Sequence, residues 1–491
     1  DPMLHRSWPS TNSTLLLPMV LKSTPYPCTA DSPFSIEIAA LHQVRPSETE
    51  SYPAGKMSSA MRRSQHSAAF PDLLEALKQS GACWSRVRID WSEIQPEPPA
   101  DHMYWAYHDE KLRLVADTGV RMIVIVDGVP EWAANSIFGP IDPDQLGEFD
   151  RFLTQLVTRY KEPPYNIHHW ELFNEPDLTV WNGVPVGWGY HGDQYAQMLA
   201  VAHQAIKAAD PEAKVLLGGL AYDAFTEYEE PFYRYFLDDV VTAGGGEFLD
   251  VMNFHYFPPF AREWERWDPN SEDRRNGWLP APTCGIVDDD QGTVYEAGGI
   301  DLIAKTSHIR NRLAACFGLN RPLWVTELGE TGYSGDPDSL ARQARYVIQG
   351  YARGLAAGIE NITWFALVSS PRTAHDQGLL HRFDWAPKPA YYAYQTMARE
   401  LTGYTYAHTV EVDGVEAYVF LSPQHQEKTV AWSQDSVQLA HMAFLGTNHL
   451  RVVDRNGNVM LVEDGGADDA DGMLNGSVGL RITSDPVFVS Q

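Results

Sequence analysis

The strongest constraint on the fold is a repeated alternation of strand-like and helix-like segments between residues 34 and 403. Eight times, a short run rich in β-branched and aromatic residues precedes a longer amphipathic stretch, as in FSIEIAAL followed by FPDLLEALKQSG. Strands that alternate with helices pair in parallel through right-handed crossovers. Eight such units predict a (β/α)8 TIM barrel. A nucleotide-binding doubly wound sheet is disfavoured, because no glycine fingerprint follows the first strand.

The predicted elements cover most of this region. Strands are predicted at residues 34–41, 83–91, 121–128, 167–175, 214–220, 248–257, 322–328 and 361–370. Helices are predicted at residues 70–81, 107–119, 144–160, 192–211, 229–245, 299–318, 338–358 and 388–403. One long interruption, at about residues 258–298, is too long for a passive connection. We expect it to wall one side of a cleft.

The two ends of the chain differ from this pattern. Residues 1–33 are rich in Ser, Thr and Pro without periodicity, which predicts a tail or linker. Residues 404–491 contain short alternating runs such as VEAYVFLS, and NGN marks a hairpin turn. The predicted organisation is therefore a tail, a barrel over residues 34–403 and a small all-β domain, a β-sandwich, over residues 404–491.

The charge balance limits the possible partners. The chain has 37 basic and 65 acidic residues, for a formal net charge of −28. Nucleic acids and anionic membranes attract basic surfaces, so neither is expected as a partner. No apolar run reaches the length of about 18 residues that a membrane span needs. The chain begins at Asp1 rather than Met, which favours a secreted protein whose signal peptide has been removed.

No catalytic metal and no organic cofactor are predicted. His168 and His169 are adjacent, so on a strand they point to opposite faces and make a poor metal pair. The acidic run EDGGADDADG at 463–472 lacks the spacing of an EF-hand loop. The four cysteines, at positions 28, 83, 284 and 316, show no metal-ligand spacing and leave one, two or no disulfides open.

Two glutamates end strand-like runs that lie far apart in sequence. Glu175 closes HHWELFNE at the predicted fourth strand, and Glu327 closes PLWVTE at the predicted seventh. The carboxyl ends of all strands of a TIM barrel meet at one face, so both side chains are expected in one bowl. Two facing carboxylates suit glycosidic bond cleavage, in which one donates a proton and the other attacks the anomeric carbon.

These motifs carry a family resemblance. WELFNEP together with WVTELG resembles the retaining glycoside hydrolases of clan A, in which an Asn-Glu pair ends strand four and the nucleophilic glutamate ends strand seven. HHWELFNEPDLTVW, FLDVMNFHYF and GLLHRFDWAPKPAYYAY look most like family 39, with the cellulase-like neighbours near family 5 as second choice. The resemblance covers roughly residues 34–403.

The resemblance implies roles for single residues. Glu175 would be the acid/base and Glu327 the nucleophile, while Asn174 would hydrogen-bond the 2-hydroxyl of the sugar. Arg88 would lie close to Glu327 and keep it ionised, although a structural ion pair is equally compatible with its charge. His255 would orient the acid/base or a hydroxyl group.

One departure and three tryptophans complete the candidate site. The related enzymes have His-x-Tyr near the nucleophile, whereas this chain reads HYF, so Phe257 takes the tyrosine position. Either Tyr256 turns inward or another group holds Glu327. Trp364 stands where the clan has a tryptophan floor for the sugar. Trp132 and Trp181, in loops after strands, are further stacking candidates.

The sequence thus predicts a retaining glycoside hydrolase that acts on a carbohydrate substrate by double displacement. An exo-acting xylosidase or arabinosidase is favoured, and an endo-acting β-glycanase is the alternative. A non-catalytic carbohydrate-binding barrel is the alternative of another class. A separation of about 5–5.5 Å between the two carboxyl groups would fit retention, and about 6.5–9.5 Å would indicate inversion.

Overall fold

The computed structural model describes residues 28, 32–38, 70–98, 103–181, 183–221, 232, 233, 235–258, 302–370, 373, 375–433 and 440–491. Most of the predicted tail and almost all of the predicted insert at 258–298 lie outside these residues. None of the described helices is long and apolar enough to cross a membrane.

Within the described residues, ten strands precede the C-terminal domain. They are β1 Phe34–Glu37, β2 Trp84–Asp90, β3 Arg121–Asp127, β4 His169–Leu172, β5 Val180–Trp181, β6 Val184–Pro185, β7 Lys214–Leu217, β8 Met252–Tyr256, β9 Leu323–Leu328 and β10 Ile359–Trp364. β5 and β6 form a separate small hairpin. The other eight form one parallel sheet in the order β7-β4-β3-β2-β1-β10-β9-β8. Bridges from Leu216 to Val251 and from Leu220 to Phe254 join β7 to β8 and close the barrel.

Nine α-helices accompany these strands in the described residues. They are α1 Phe70–Ser80, α2 Trp91–Ile94, α3 Ala106–Ala116, α4 Leu146–Tyr160, α5 Gly192–Ala209, α6 Phe236–Thr242, α7 Leu302–Phe317, α8 Pro337–Ala356 and α9 Pro389–Leu401. α4 shows why they form: its buried residues Phe149, Phe152, Leu153, Leu156 and Val157 recur at helical spacing, so one face packs on the sheet. The predicted (β/α)8 barrel is confirmed.

The C-terminal domain is built from antiparallel strands. They are β11 Thr405–Val412, β12 Val415–Leu421, β13 Glu427–Ser433, β14 Ala440–Leu445, β15 His449–Asp454, β16 Val459–Glu463, β17 Ser477–Ile482 and β18 Val487–Ser490. Six of them form one sheet, and β14 pairs with β17 in a second. Apolar side chains of both sheets, such as Ala431, Leu450 and Leu480, share one core. This arrangement confirms the all-β fold, and the NGN turn joins β15 to β16.

Buried ion pairs join the barrel to the C-terminal domain. Glu400, on the last barrel helix, accepts hydrogen bonds from Lys428 at 2.8 Å and from both terminal nitrogens of Arg451 at 3.0 Å. These bonds hold the pKa of Glu400 down at about 2, although burial acts in the opposite direction. Arg353 of α8 pairs with Glu416 of β12 in the same way. The two parts of the chain are therefore packed together by matched charges.

A disulfide ties the N-terminal part of the chain to the barrel. Cys28 and Cys83 are bonded, with their Cα atoms 5.2 Å apart. Cys83 directly precedes β2, and its backbone N–H donates to the carbonyl of Phe34. The cross-link therefore anchors the approach to β1 beside the start of β2. Cys284 lies outside the described residues.

Candidate active site

The two predicted catalytic glutamates meet at the carboxyl end of the barrel. Glu327 lies within β9, whereas Glu175 follows β4 by three residues in a turn where both Phe173 and Glu175 have positive φ, 67° and 45°. The pairing of β8 with β9 shifts between Phe254 and His255, which sets His255 opposite Glu327. One donor atom from each of Glu175, His255 and Glu327 lies within 4.8 Å of the others. The glutamates therefore face each other across a narrow gap.

The cation that bonds Glu327, the predicted nucleophile, is Arg86, a residue that the sequence reasoning missed. Its fully buried guanidinium donates to Glu327 at 2.6 Å and to Glu37 at 2.7 Å. It also forms a two-pronged pair with Glu171, at 2.8 and 2.7 Å, and donates to Asn174 at 2.9 Å. A planar guanidinium fits such a set because its five N–H groups are fixed in a fork.

Arg88 does not take the position predicted for it. It donates to Asp127 on the neighbouring strand β3 at 2.8 Å, and its side chain is 26% exposed. Residues two apart on a strand share a face, so Arg86 and Arg88 both point into the barrel, but Arg88 lies closer to the mouth. The role predicted for Arg88 beside Glu327 therefore belongs to Arg86. Arg88 still lies close enough to favour the charged form of Glu175.

His255 connects the two carboxyl groups. Its Nδ1 lies 3.0 Å from Glu175 and 3.7 Å from Glu327, and its Nε2 lies 3.2 Å from the hydroxyl of Thr326. Burial lowers the pKa of His255 to about 4, so the ring is neutral near pH 7. When Nε2 carries the proton and donates to Thr326, Nδ1 accepts a hydrogen bond from a protonated Glu175. This contact agrees with the orienting role that the resemblance implies.

Burial raises the pKa of both glutamates, and the hydrogen bond from Arg86 distinguishes them. Burial is the largest cause that raises the pKa of Glu175, and likewise that of Glu327, to about 7. Glu37 adds to this rise in both cases, so the site favours keeping one proton near neutral pH. The 2.6 Å hydrogen bond from Arg86 stabilises ionised Glu327. This bond favours Glu175 as the carrier of the shared proton, and the assignment of one glutamate as acid and the other as nucleophile stays a prediction.

The side-chain amide of Asn174 is held in one orientation by Arg86. Its side-chain oxygen accepts the hydrogen bond from Arg86, which directs its NH2 group away from the guanidinium. The residue is partly exposed and directly precedes Glu175. An amide held in this way can donate to a sugar hydroxyl next to the reacting carbon.

Phe257 occupies the position where the family resemblance implies a tyrosine, beside the strand that carries Glu327. Tyr256 is buried in the apolar core of the barrel, together with Phe254. Phe257 packs edge-on against Phe365 at 6.0 Å, and a Cβ atom on Gly329 would lie only 3.0 Å from its ring. Because Gly329 follows Glu327 by two residues, the ring lies beside the end of the strand that carries Glu327. Arg86 is the group that the structure shows holding Glu327, which resolves the question raised by the HYF motif.

Trp364 does not form the sugar floor. It is fully buried, donates its indole N–H to the carbonyl of Gln377 at 3.0 Å and packs near Tyr346 of α8. The side chain of the neighbouring Thr363 donates a hydrogen bond to Ser35 inside the barrel. Because successive side chains of a strand point to opposite faces, Phe365 points inward with Thr363, and Trp364 points outward. Phe365 is partly exposed. The aromatic residue at the predicted position is therefore Phe365.

The remaining aromatic candidates are unequal. Trp132 is partly buried, donates to the carbonyl of Gln95 at 3.1 Å and packs edge-on against Trp91. Those contacts fix its ring at the rim after β3. The backbone of Trp181 belongs to the β5–β6 hairpin, but its side chain lies outside the described part of the structure. Both remain predictions as substrate contacts.

A metal ion would compete with the arrangement already present. Among the described residues, Glu175, His255 and Glu327 are the group whose donor atoms come close enough to bind one. The same three residues are those predicted as the acid, its orienting partner and the nucleophile, and Arg86 already supplies positive charge at Glu327. That no catalytic metal is used remains a prediction.

Comparison with known proteins agrees with this geometry. The family model described as cellulase (glycosyl hydrolase family 5) matches residues 55–364, more than half of the chain. No curated protein matches the chain.

Solved structures show the same fold at low identity. A family 39 glycoside hydrolase from Bacteroides cellulosilyticus WH2 has a TM-score of 0.60 and 17% identity, covering 86% of this chain and 78% of that one. A family 39 β-xylosidase from Caulobacter crescentus has 0.54 and 14%, covering 96% and 98%. The catalytic domain of family 30 xylanase C from Talaromyces cellulolyticus has 0.56 and 12%, covering 93% and 95%.

The resemblance to clan A stated from the two glutamate motifs is thus confirmed, with the second-choice family matched by the model and the first-choice family among the similar folds. The chain belongs to the cellulase family, glycosyl hydrolase family 5, and is a retaining glycosidase.

Proposed function

We propose that the protein hydrolyses β-linked glycosides of a plant or microbial saccharide, with Glu327 as nucleophile and Glu175 as acid/base. The observation that carries this assignment is the asymmetric pair: the two carboxyl groups approach within 4.8 Å, and Arg86 bonds Glu327 rather than Glu175. A gap this narrow leaves no room for the water that an inverting enzyme places between its carboxyl groups.

The reaction then follows in two displacements. Glu327 attacks the anomeric carbon while Glu175 gives its proton to the leaving oxygen, so the glycosidic bond breaks as the glycosyl-enzyme ester forms. Glu175, now ionised, removes a proton from water, and the hydroxide attacks the same carbon and releases Glu327. Nδ1 of His255 accepts a hydrogen bond from protonated Glu175 and has no proton to donate to the ionised form, so His255 favours the acid form of Glu175.

The role of Glu175 predicts a dependence on the leaving group. In Glu175→Ala, hydrolysis of phenyl β-glycosides should fall by about 10³-fold, because protonation of a poor leaving group contributes about 10²–10⁴. Dinitrophenyl glycosides, which leave without a proton, should form the glycosyl-enzyme at nearly the normal rate. In the unchanged enzyme, kcat/KM should fall above about pH 7, where Glu175 loses its proton, and this limb should vanish in the variant. An equal loss on both substrates would contradict the role.

We also propose that the enzyme is exo-acting and prefers a pentose such as xylose or arabinose. The supporting observation is the pair of phenylalanines, Phe257 and Phe365, on either side of the nucleophile strand. Around the reacting carbon, Asn174 takes the side of the 2-hydroxyl, which leaves the ring oxygen and C5 toward these rings. An apolar wall suits a sugar with hydrogen at C5, because a hydroxymethyl group would bury a hydroxyl there without a partner.

This preference can be measured on matched pairs of aryl glycosides. The β-xyloside should exceed the β-glucoside, and the arabinopyranoside the β-galactoside, by about tenfold or more in kcat/KM, since an unpaired buried hydroxyl costs about 1–3 kcal/mol. Phe257→Tyr should narrow that ratio by offering a hydroxyl. A glucoside cleaved as well as the xyloside would refute the pentose assignment. Shortening of a polymer without release of single sugars would favour the endo-acting alternative.

We propose in addition that the protein is secreted. The Cys28–Cys83 disulfide supports this, because disulfides persist in oxidising compartments.

A further inference from the structure

We infer that Tyr190 and Tyr233 form a stacking subsite for the sugar units of the leaving group, on the acid/base side of the cleft. This inference rests on the proposed function, because Glu175 defines the leaving-group side. It adds a binding site formed by the loop after β4, which carries Tyr190, and by the segment between β7 and α6, which carries Tyr233.

The loop that carries Tyr190 is tied to the residue next to Glu175. The backbone N–H groups of Trp188 and Gly189 both donate to the carbonyl of Pro176 at 2.9 Å. Gly187 approaches so closely that an added Cβ would lie 2.4 Å from the carbonyl oxygen of Leu178. Two hydrogen bonds to one carbonyl, and a glycine required by close approach, fix this loop against the acid/base turn.

The distance to the reacting bond is short. Successive Cα atoms lie about 3.8 Å apart, and residues paired through backbone hydrogen bonds lie about 5 Å apart. The path from Glu175 through Pro176 and Gly189 therefore places the Cα atom of Tyr190 within about 13 Å of that of Glu175. A leaving group of one or two sugar units bridges such a distance.

Tyr233 reaches the same place from a different part of the chain. Its backbone N–H donates to the carbonyl of Asp177 at 2.8 Å, and the preceding Phe232 forms a bridge with Leu178. The rings of Tyr190 and Tyr233 lie 4.7 Å apart and are tilted by 58°. Tyr190 is 53% exposed, whereas Tyr233 is partly buried against the barrel core. The partly buried ring of Tyr233 thus packs beneath the exposed ring of Tyr190.

The chemistry of this pair suits a saccharide. Tyrosine offers a broad apolar face with little conformational freedom to lose, together with a hydroxyl that can bond a neighbouring polar group. A pyranose has C–H groups on its faces and hydroxyls around its edge, so it can meet both parts. The leaving oxygen receives its proton from Glu175, so the departing sugars extend past the Glu175 turn, to which the backbone beside Tyr190 and that of Tyr233 are hydrogen-bonded.

The first test compares two substrates of the complete protein. β-Xylosyl fluoride fills the donor position and has no leaving sugar, whereas xylotriose needs both sides of the cleft. In Tyr190→Ala, the ratio of kcat/KM on xylotriose to that on the fluoride should fall about tenfold, the effect of losing about 1.4 kcal/mol of aromatic contact. Tyr190→Phe keeps the ring and should preserve the ratio. Leu445→Ala, which truncates an exposed side chain on β14, is the control.

The second test measures binding without turnover. In a Glu327→Gln background, adding Tyr190→Ala or Tyr233→Ala should weaken binding of xylotriose or cellotriose about tenfold in titration calorimetry. An unchanged substrate ratio together with unchanged affinity would overturn the subsite, and so would failure of the background variant to bind either trisaccharide. A failure of the proposed function would give a different result, because the unchanged enzyme would then release neither fluoride nor xylose. In that case the binding affinities of the variants would test the subsite by themselves.

Discussion

Replacing Glu327 by alanine should lower kcat on an aryl β-xyloside by at least about 10⁴-fold, because no covalent intermediate can form without its carboxylate. The expected loss exceeds that for any other single substitution in the site. Arg86 and His255 would remain, so the variant should still bind the substrate. Initial rates of the purified variant, compared with those of the unchanged enzyme, give the measurement. Glu360→Ala, an exposed glutamate on β10, is the matched control and should have little effect.

Azide rescue identifies the role as well as the importance of each glutamate. In Glu327→Ala, azide that enters the vacated space attacks the anomeric carbon once, so the product should be the α-glycosyl azide. In Glu175→Ala, azide attacks the glycosyl-enzyme, so two inversions should yield the β-glycosyl azide. NMR spectroscopy of the products distinguishes these outcomes. Interchanged configurations would mean that the two roles are reversed, and activity of Glu327→Ala within tenfold of normal would rule out the double displacement.

The barrel could be predicted from sequence because its signal is repeated. Eight strand-then-helix units each carry the hydrophobic period of their own element, and parallel pairing follows from the crossovers alone. The same rule placed Glu175 and Glu327 in one bowl, since every strand ends at the same face. Element ends were less accurate: the fourth strand was predicted to reach Glu175, but it ends at Leu172, before a turn with positive φ.

The depth of each side chain inside the barrel could not be predicted from the sequence. Arg86 and Arg88 are both arginines on the same face of β2. Only the pairing of β2 with β1, which sets Arg86 beside Glu37, shows which of the two lies at the level of Glu327. Glu37 and Glu171 also sat inside predicted strands. A charged residue within an otherwise apolar strand could have indicated a buried ion-pair network, because a charged side chain is buried only when it has a partner.

The aromatic residue predicted as the sugar floor, Trp364, is one position away from the aromatic residue that faces the barrel interior, Phe365. In TWFAL, two aromatic residues are adjacent, and a strand sends them to opposite faces. The hydrogen bond from Thr363 to Ser35 on the neighbouring strand β1 shows which face of β10 points inward. The composition of the segment does not predict which of the two faces that is. The helix α8 packs over the outward face and takes up Trp364. One-residue phase errors of this kind exchange a core residue for a substrate contact.

Arg86→Met should be the most damaging change to stability within the site. The substitution removes the cation from three carboxylates, those of Glu37, Glu171 and Glu327, that it bonds at 2.6–2.8 Å. Loss of one partner of a buried ion pair costs about 3–5 kcal/mol, because the remaining charge is left without compensation. Urea denaturation measures the change in the free energy of unfolding. Arg86→Lys keeps the charge but not the fork, so it should recover only part of this stability.

The same substitution should also change the pH dependence. Arg86 favours the ionised form of Glu327, so its removal raises the pKa of that carboxyl group further. Activity needs ionised Glu327 and protonated Glu175, so the acid limb of the pH profile should move to higher pH. The alkaline limb should move in the same direction, because Arg86 also lowers the pKa of Glu175. Maximal kcat should fall by about 10²-fold or more, because Glu327 loses the cation that stabilises its charge. Adding Glu171→Gln should relieve part of the instability by removing one stranded carboxylate, yet it should leave activity low, because Glu327 still has no cation. Recovery of both properties together would mean that Arg86 acts on the fold alone.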